Sequence, residues 1–309
     1  MGDLEELEVW RRDALRIRWI LIGITIGTLG LAFGCLWLID RGVDALPIGT
    51  LLFLVAVISV VLQSVCQKKD YIPLNEAYTE YWGGLGMKHL RSCPRLSALT
   101  FREKDGISQE VLRTAAALRC GERNFFQSWL LVQGKYGPLS FSRCRVRSEM
   151  ICFQLRRNWD GTSSSRVPIF DGIVFRIKRE SPSSLWLQIF QREGLFCPLL
   201  GRAAPRRMKT GHRAFDRRFV VRTSDREAAR QVLTEDWMET LLDLSRDIGH
   251  PLAVTFHDRS LYAAIRGPGD LRLGVPVARQ AAWAKGEADW LCRFCGLFQS
   301  ARLPSSLPC

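Results

Sequence analysis

Two stretches of this sequence run for 21 residues each without a charge, and no other feature narrows the fold as far. The first is Trp19 to Ile39, WILIGITIGTLGLAFGCLWLI; the second is Leu46 to Cys66, LPIGTLLFLVAVISVVLQSVC. At about 1.5 Å rise per residue, each makes a helix roughly 31 Å long, close to the hydrocarbon thickness of a bilayer. Backbone polar groups in lipid must be satisfied within their own segment, so both runs are expected to be membrane-spanning helices. Pro47 stands at the start of the second run, where a helix tolerates it. A pair of buried core helices fits less well, because core helices seldom run this long uncharged. A cleaved signal peptide also fits less well: the apolar run is too long, and a second run follows at once.

Residues 40–45 connect the runs, which makes the spans an antiparallel hairpin. Arg11, Arg12, Arg16 and Arg18 precede the first span, Lys68 and Lys69 follow the second, and the connection holds only Arg41. Cytoplasmic loops carry the excess of Lys and Arg, so both termini are expected in the cytoplasm. Gly23, Gly27, Gly30 and Gly34 offer a small-residue face for close packing on the second span or on another copy, or are ordinary membrane-helix glycines. The expected organisation is a cytoplasmic segment 1–18, spans at 19–39 and 46–66, a cytoplasmic domain at 67–300 and a tail at 301–309.

Charge divides sharply along the chain. Residues 1–66 carry five Arg and seven acidic residues, whereas the remaining 243 residues carry 39 basic and 24 acidic ones. The soluble part is therefore strongly basic, and an anionic inner leaflet is its nearest large partner, with nucleic acid the weaker candidate. At 24% charged and 47% apolar residues, the chain is neither disordered nor a small disulfide scaffold. The ten cysteines show no framework of paired spacings. Cys292-x-x-Cys295 lies in WLCRFCGLF and reads as two thiols on an apolar helix, with a redox pair as the alternative; zinc would need two more ligands.

Residues 1–18 read as a helix leading into the membrane. Residues 70–92 read as helical, broken at Gly83-Gly84-Leu85-Gly86, a cluster without the Lys-Ser/Thr of a phosphate loop. Ser108 caps a helix over 109–119. From residue 124 the period becomes strand-like, with a turn at Gly134–Pro138. Arg143, Arg145 and Arg147 then share one face, read as basic and wet. Further strands are expected near 149–156, 170–179 and 184–190, and a loop at 161–165. Trp283, Trp290, Leu291, Phe294 and Phe298 form a helical stripe that packs on the domain or lies at the membrane surface.

The stretch 214–265 carries the clearest local signals. A strand is expected over Ala214–Arg222, then a capping box at Ser224–Glu227 opening a short helix. Thr234 caps a second helix with the apolar stripe Trp237, Met238, Leu241, Leu242, Leu244 and Ile248, ended by Gly249 and Pro251. Strands 253–256 and 261–265 meet at the turn His257–Ser260. Strand, helix, helix, strand, strand is an α+β pattern. With the two runs, the fold class is α+β: a transmembrane helical hairpin followed by a mixed domain with antiparallel strands.

FDGIVFRI (170–177), FDRRFVVRTSDREAARQVLTEDWMETLLDL (215–244) and VTFHDRSLYAAI (254–265) together resemble the bacterial membrane proteins of the domain-of-unknown-function family 3137. The likeness covers roughly residues 70–300. It implies a two-span hairpin and a cytoplasmic α+β domain, and it implies no activity, so no catalytic residue carries over. One departure is the very basic stretch before Phe215.

No constellation for chemistry stands out. His257-Asp258 sits in a turn that wants polar residues anyway. Asp225, Glu227, Glu235 and Asp236 fall in first helical turns, where the macrodipole favours them. No catalytic, metal-binding or cofactor-binding residues are assigned. The expected function is a membrane-anchored binding or scaffolding module; the alternatives are a membrane-tethered enzyme with an unrecognised site, or a nucleic-acid-binding module. Residues 202–222 hold seven Arg, one Lys and a single Asp. Pro205 and Gly211 suggest a loop, from which Arg202, Arg206, Arg207, Lys209 and Arg213 would meet anionic lipid head groups or an acidic protein partner.

Overall fold

The computed structural model describes residues 2–41, 46–115, 117, 125–155, 162–191, 205–267 and 276–303. The chain forms two compact units: Met1–Glu80 with Asp270–Trp283, and Tyr81–Gly269 with Ala284–Cys309.

The first unit is built on two long helices, α1 (Gly2–Asp40) and α2 (Leu46–Tyr81). Each continues its uncharged run into a polar helical extension. Thr25 and Ser59 share a hydrogen bond at 2.8 Å, and Ser59 Oγ donates to the Leu21 carbonyl at 3.0 Å. A Cβ on Gly49 would lie 3.2 Å from that of Cys35, so residue numbers rise in one helix as they fall in the other and the pair is antiparallel. The close seam uses Ala32, Ala56 and Ser59, all buried. Gly23, Gly27, Gly30 and Gly34 have nothing within 4 Å of an added Cβ, so the expected glycine face does not pack on the second helix. Trp19, Ile26 and Phe33 are each more than 60% exposed. Both helices are long and apolar enough to cross a membrane, and apolar surface of this extent needs a cover other than water.

The second unit begins with a π-helix over the glycine cluster, Trp82–Gly86, followed by α3 (Met87–Ser92). Glycines make the wider i→i+5 turn inexpensive, so the expected break is a change of helix type. The sheet strands are β1 (Leu96–Arg102), β2 (Phe125–Tyr136), β3 (Leu139–Leu155), β4 (Thr162–Lys178), β5 (Leu187–Gln191), β6 (Arg206–Met208), β7 (Phe219–Thr223), β8 (Leu252–His257) and β9 (Ser260–Arg266). They form one antiparallel sheet in the order β1-β2-β3-β4-β9-β8-β5-β7-β6. Thr162–Ser165, expected as loop, begins β4; Gly161 lies outside the described residues.

Among the described residues the helices after α3 are α4 (Gln109–Thr114), α5 (Arg213–Arg218), α6 (Arg226–Val232), α7 (Glu235–Ile248) and α8 (Val277–Ser300). Ser108 caps α4 as expected, although the helix ends at Thr114, short of residue 119. Thr234 caps α7 through the Trp237 amide, and Gly249 ends it at φ +64°. The whole predicted stripe of α7 is buried. The α6 cap is Asp225, whose carboxylate accepts from the amides of Glu227 and Ala228 at 2.9 and 3.2 Å. Ser224, expected as the cap, instead joins the Trp186 backbone, its Oγ accepting from the amide at 3.0 Å.

Aromatic residues of α7 and α8 cover one sheet face: Phe294 meets Phe175 at 5.7 Å, and Phe256 lies between Trp237 and Phe298. Phe294 and Phe298 of the expected stripe therefore pack on the sheet, while the side chain of Trp283 lies outside the described ones. Neighbouring positions in a strand point to opposite faces, so Val174, Ala264 and Ala253 belong to the other core, with Ile107, Leu112 and Leu131. At Gly172 a Cβ would fall inside the Ile265 carbonyl oxygen of β9, which explains the glycine of the Phe-x-Gly strand.

The first face contradicts one expectation outright. Arg143 and Arg145 are 2% and 1% exposed. Arg143 pairs with Phe175 in register, which turns its side chain toward α8. There its Nε donates to Glu287 at 2.9 Å, and its Nη2 donates to the same oxygen. The arginines share a face as the alternation implies, but that face is covered by a helix that brings its own carboxylate.

Candidate functional site

The basic run 202–222 does not fold as the expected loop. Arg206, Arg207 and Met208 form β6 at the free edge of the sheet, with Met208 buried and both arginines exposed. Pro205 is tolerated there, because an edge strand's outer amides need no ladder partner. Residues expected as strand from 214 onward form α5 first, then β7 from Phe219. Arg202 lies outside the described residues.

Asp216 pulls the turn between β6 and α5 into shape. Its carboxylate accepts from the amides of Thr210 and Gly211 and from the Thr210 hydroxyl, at 3.0 to 3.2 Å. Gly211 takes φ +90°, a conformation glycine adopts freely. His212 Nδ1 accepts from the Phe215 amide at 3.2 Å and caps α5, while Nε2 donates to Glu239 of α7 at 2.8 Å. Phe215 is fully buried below. The only acidic residue in the run is thus used to hold backbone.

The cations around this turn are left over. Arg206, Arg207, Lys209 and Arg213 are exposed, and among the described residues none of them pairs with a carboxylate. Some other surface arginines are paired, Arg102, Arg230 and Arg246 with Asp105, Glu227 and Asp243. Arg218 is held on Ser245 at 2.8 Å.

Register adds a residue that sequence reasoning did not single out. Arg207 stands directly opposite Arg222 on β7, and like charges so placed repel. Arg222 lies over the Phe190 ring at 6.0 Å, and its buried Nε has no hydrogen-bond partner among the described residues. A buried donor of this kind is costly until an acceptor arrives. Arg222 closes the basic run, but only strand pairing places it against Arg207.

The pair ends a longer polar row. Thr100, Gln133, Ser142, Arg176, Tyr262, Thr255, Gln188, Arg222 and Arg207 are successive register partners, one from each strand. Arg176 lies over Tyr262 and donates to Ser260 at 3.4 Å. No acidic side chain interrupts the row. Four exposed cations therefore lie on and just after β6, and Arg222, the register partner of Arg207, carries an Nε with no hydrogen-bond partner among the described residues.

Two recesses lie elsewhere in this unit. One of about 540 Å³ is lined by Thr234, Asp236, Trp237 and Arg293, among others; one of about 480 Å³ holds Arg95, whose Nη1 donates to the Tyr136 hydroxyl at 3.0 Å. Among the described residues no three His, Cys, Asp or Glu side chains gather to hold a metal ion. His257 rests in its turn against Trp186, and burial lowers its pKa. Asp225, Glu227, Glu235 and Asp236 stay in the first turns of α6 and α7.

The architecture defines the class: an α+β protein in which a nine-stranded antiparallel sheet follows two long apolar helices. Residues 168–272 match the model of the family described as protein of unknown function (DUF3137), which supports the likeness to that family. The match runs from β4 through β9, across the basic edge. No curated protein matches the chain. Among solved structures, the crystal structure of the mycobacterial trehalose monomycolate transport factor A, TtfA, is similar at 12% identity, over 73% of this chain and 99% of that one, with a TM-score of 0.39. A likeness this weak transfers no function.

Proposed function

We propose that this chain is a membrane-anchored binding module, held by the α1–α2 hairpin in a bacterial inner membrane with both termini cytoplasmic, and that its sheet unit docks on anionic groups through Arg206, Arg207, Lys209 and Arg213. The reading rests chiefly on those four exposed cations having no carboxylate partner among the described residues. It draws further support from the 39 basic against 24 acidic residues beyond residue 66. The anchor keeps the unit near a leaflet that is usually anionic, and each basic residue near such a surface contributes about 1 kcal/mol. Four together suffice for reversible docking on lipid head groups, or on an acidic protein resident at the same surface.

The test is flotation of the fragment from residue 67 onward, its fold checked by circular dichroism, with liposomes of defined charge. Binding is expected to require anionic lipid, to weaken with salt, and to fall when Arg206, Arg207 and Lys209 are changed to Gln. Equal binding to neutral vesicles, or indifference to the triple change, rejects the reading. Salt-sensitive retention on nucleic acid without lipid binding replaces it by the nucleic-acid alternative.

A further inference from the structure

Cys93 and Cys292 are 199 positions apart in sequence, yet their sulfurs lie 3.2 Å from each other. We propose that these two residues are a reversible dithiol–disulfide site, oxidised by a peroxide and reduced by a small dithiol. The spacing of Cys292 and Cys295 draws attention to a CxxC pair; the fold instead brings Cys292 to a cysteine at the start of the sheet unit.

The backbone on the Cys93 side is fixed. Its amide donates to the Leu90 carbonyl at 3.2 Å, and its carbonyl accepts from the Leu96 amide at 3.1 Å. Pro94 follows directly and locks the next φ. On the other side, Trp290, Leu291, Phe294 and Cys295 are buried and hold the α8 segment that carries Cys292. A disulfide needs the sulfurs at about 2.05 Å. The sulfurs stand roughly 1.1 Å beyond that length. Cys93 and Cys292 are both half-buried, so a small oxidant reaches them, whereas Cys295 is buried.

The chemistry divides between the two. Burial, helped by the neighbouring Cys93 sulfur, pushes the Cys292 thiol up to about 12, and burial pushes Cys295 up as well. The first attack falls to Cys93, on the turn after α3. Its thiolate attacks one peroxide oxygen, the O–O bond breaks, and hydroxide leaves with a sulfenic acid formed on Cys93. The Cys292 sulfur then displaces the sulfenic oxygen, which leaves as water with the Cys292 proton. Two thiols are oxidised and one peroxide is reduced. A dithiol reverses the step by exchange through a mixed disulfide. The bond would fasten the turn after α3 to α8.

Trypsin makes the pairing legible, because Arg91, Arg95, Lys285, Arg293 and Arg302 place each of the three cysteines in a separate peptide. The full chain in detergent is treated with equimolar hydrogen peroxide, blocked with N-ethylmaleimide under denaturing conditions, and digested. Peptide 92–95 is expected to be linked to peptide 286–293, and dithiothreitol should release both. Cys295→Ser should keep the link, and Cys93→Ser should lose it. A link involving peptide 294–302, or blocked and unlinked peptides 92–95 and 286–293 after oxidation, overturns the proposal. The wild-type map alone decides the outcome if a variant does not fold.

Discussion

The buried charge cluster under α8 allows a demanding test of how this sheet is held. Arg143 and Glu287 are 2% and 1% exposed, and Arg143 also donates to the Leu130 carbonyl at 3.4 Å. That carbonyl is supplied by the irregularity of β2 between Trp129 and Val132, where Leu130 takes φ +54°. Burial pushes the Glu287 carboxyl above its ordinary range, while the Arg143 and Arg145 guanidiniums pull against that shift. Breaking a buried pair from one side typically costs about 3–5 kcal/mol, because the remaining charge is stranded. The two sides are not equivalent here. Glu287→Gln removes the carboxylate that both guanidiniums act on, whereas Arg143→Met leaves it facing Arg145. Glu287→Gln should therefore lose about 4 kcal/mol or more, and Arg143→Met less. The double change to Met and Leu should recover most of the loss, since well-packed apolar replacements of buried pairs are often neutral. The assay is guanidinium unfolding of the detergent-solubilised chain, followed by the infrared β-sheet band so that the helices do not contribute. With a slope of about 4 kcal/mol per molar, Glu287→Gln should move the midpoint by roughly 1 M. A loss below about 1 kcal/mol, the reverse order of the single variants, or additivity in the double variant would refute the reasoning.

Three further outcomes are expected. Leu241→Ala, at a fully buried position of α7, should cost about 2–5 kcal/mol in the same assay; a loss under half a kcal/mol would remove that stripe from the core. Gly172→Ala should cost at least about 1–3 kcal/mol by overpacking β4 against the Ile265 carbonyl, and a neutral result would mean the strands separate freely there. A cysteine placed at Val43 should react with a membrane-impermeant reagent added outside intact cells, and one placed at Ser306 should not; the reverse pattern would sink the orientation read from Lys and Arg.

Local signals were legible wherever the chain satisfies itself locally. Thr234 before α7, Gly249 after it and the stripe between them need no knowledge of distant residues, and all three stand as read. The same holds for the His257–Ser260 turn, where Asp258 takes φ +51°. Signals failed where two local solutions compete. Ser224 and Asp225 are both good caps; the Trp186 backbone claims the serine, and the aspartate takes the helix. Phe215–Arg218 reads as strand because Phe219–Arg222 does, until Asp216 and His212 close a short helix around Phe215. The pairing of Cys93 with Cys292 carries no sequence signal, since it depends on how α8 meets the first turn of the unit.

The arginines show where alternation stops being informative. Period two says which side chains share a face, and Arg143, Arg145 and Arg147 do share one; it says nothing about what lies over that face. The same limit bears on the basic edge. Charged side chains on a short edge strand guard it against pairing with another chain, and Arg206 and Arg207 would serve that purpose with no ligand at all. Lys209 and Arg213 would not. They lie beyond β6, where no strand edge is exposed to guard, and the acidic residue nearest to them is spent on the Thr210–Gly211 backbone. Edge protection also fails to explain Arg222, which points its unmet Nε inward beside Phe190. The proposed docking would give all five a use, so the triple change to Gln, which includes Lys209, separates binding from edge protection more cleanly than either arginine alone.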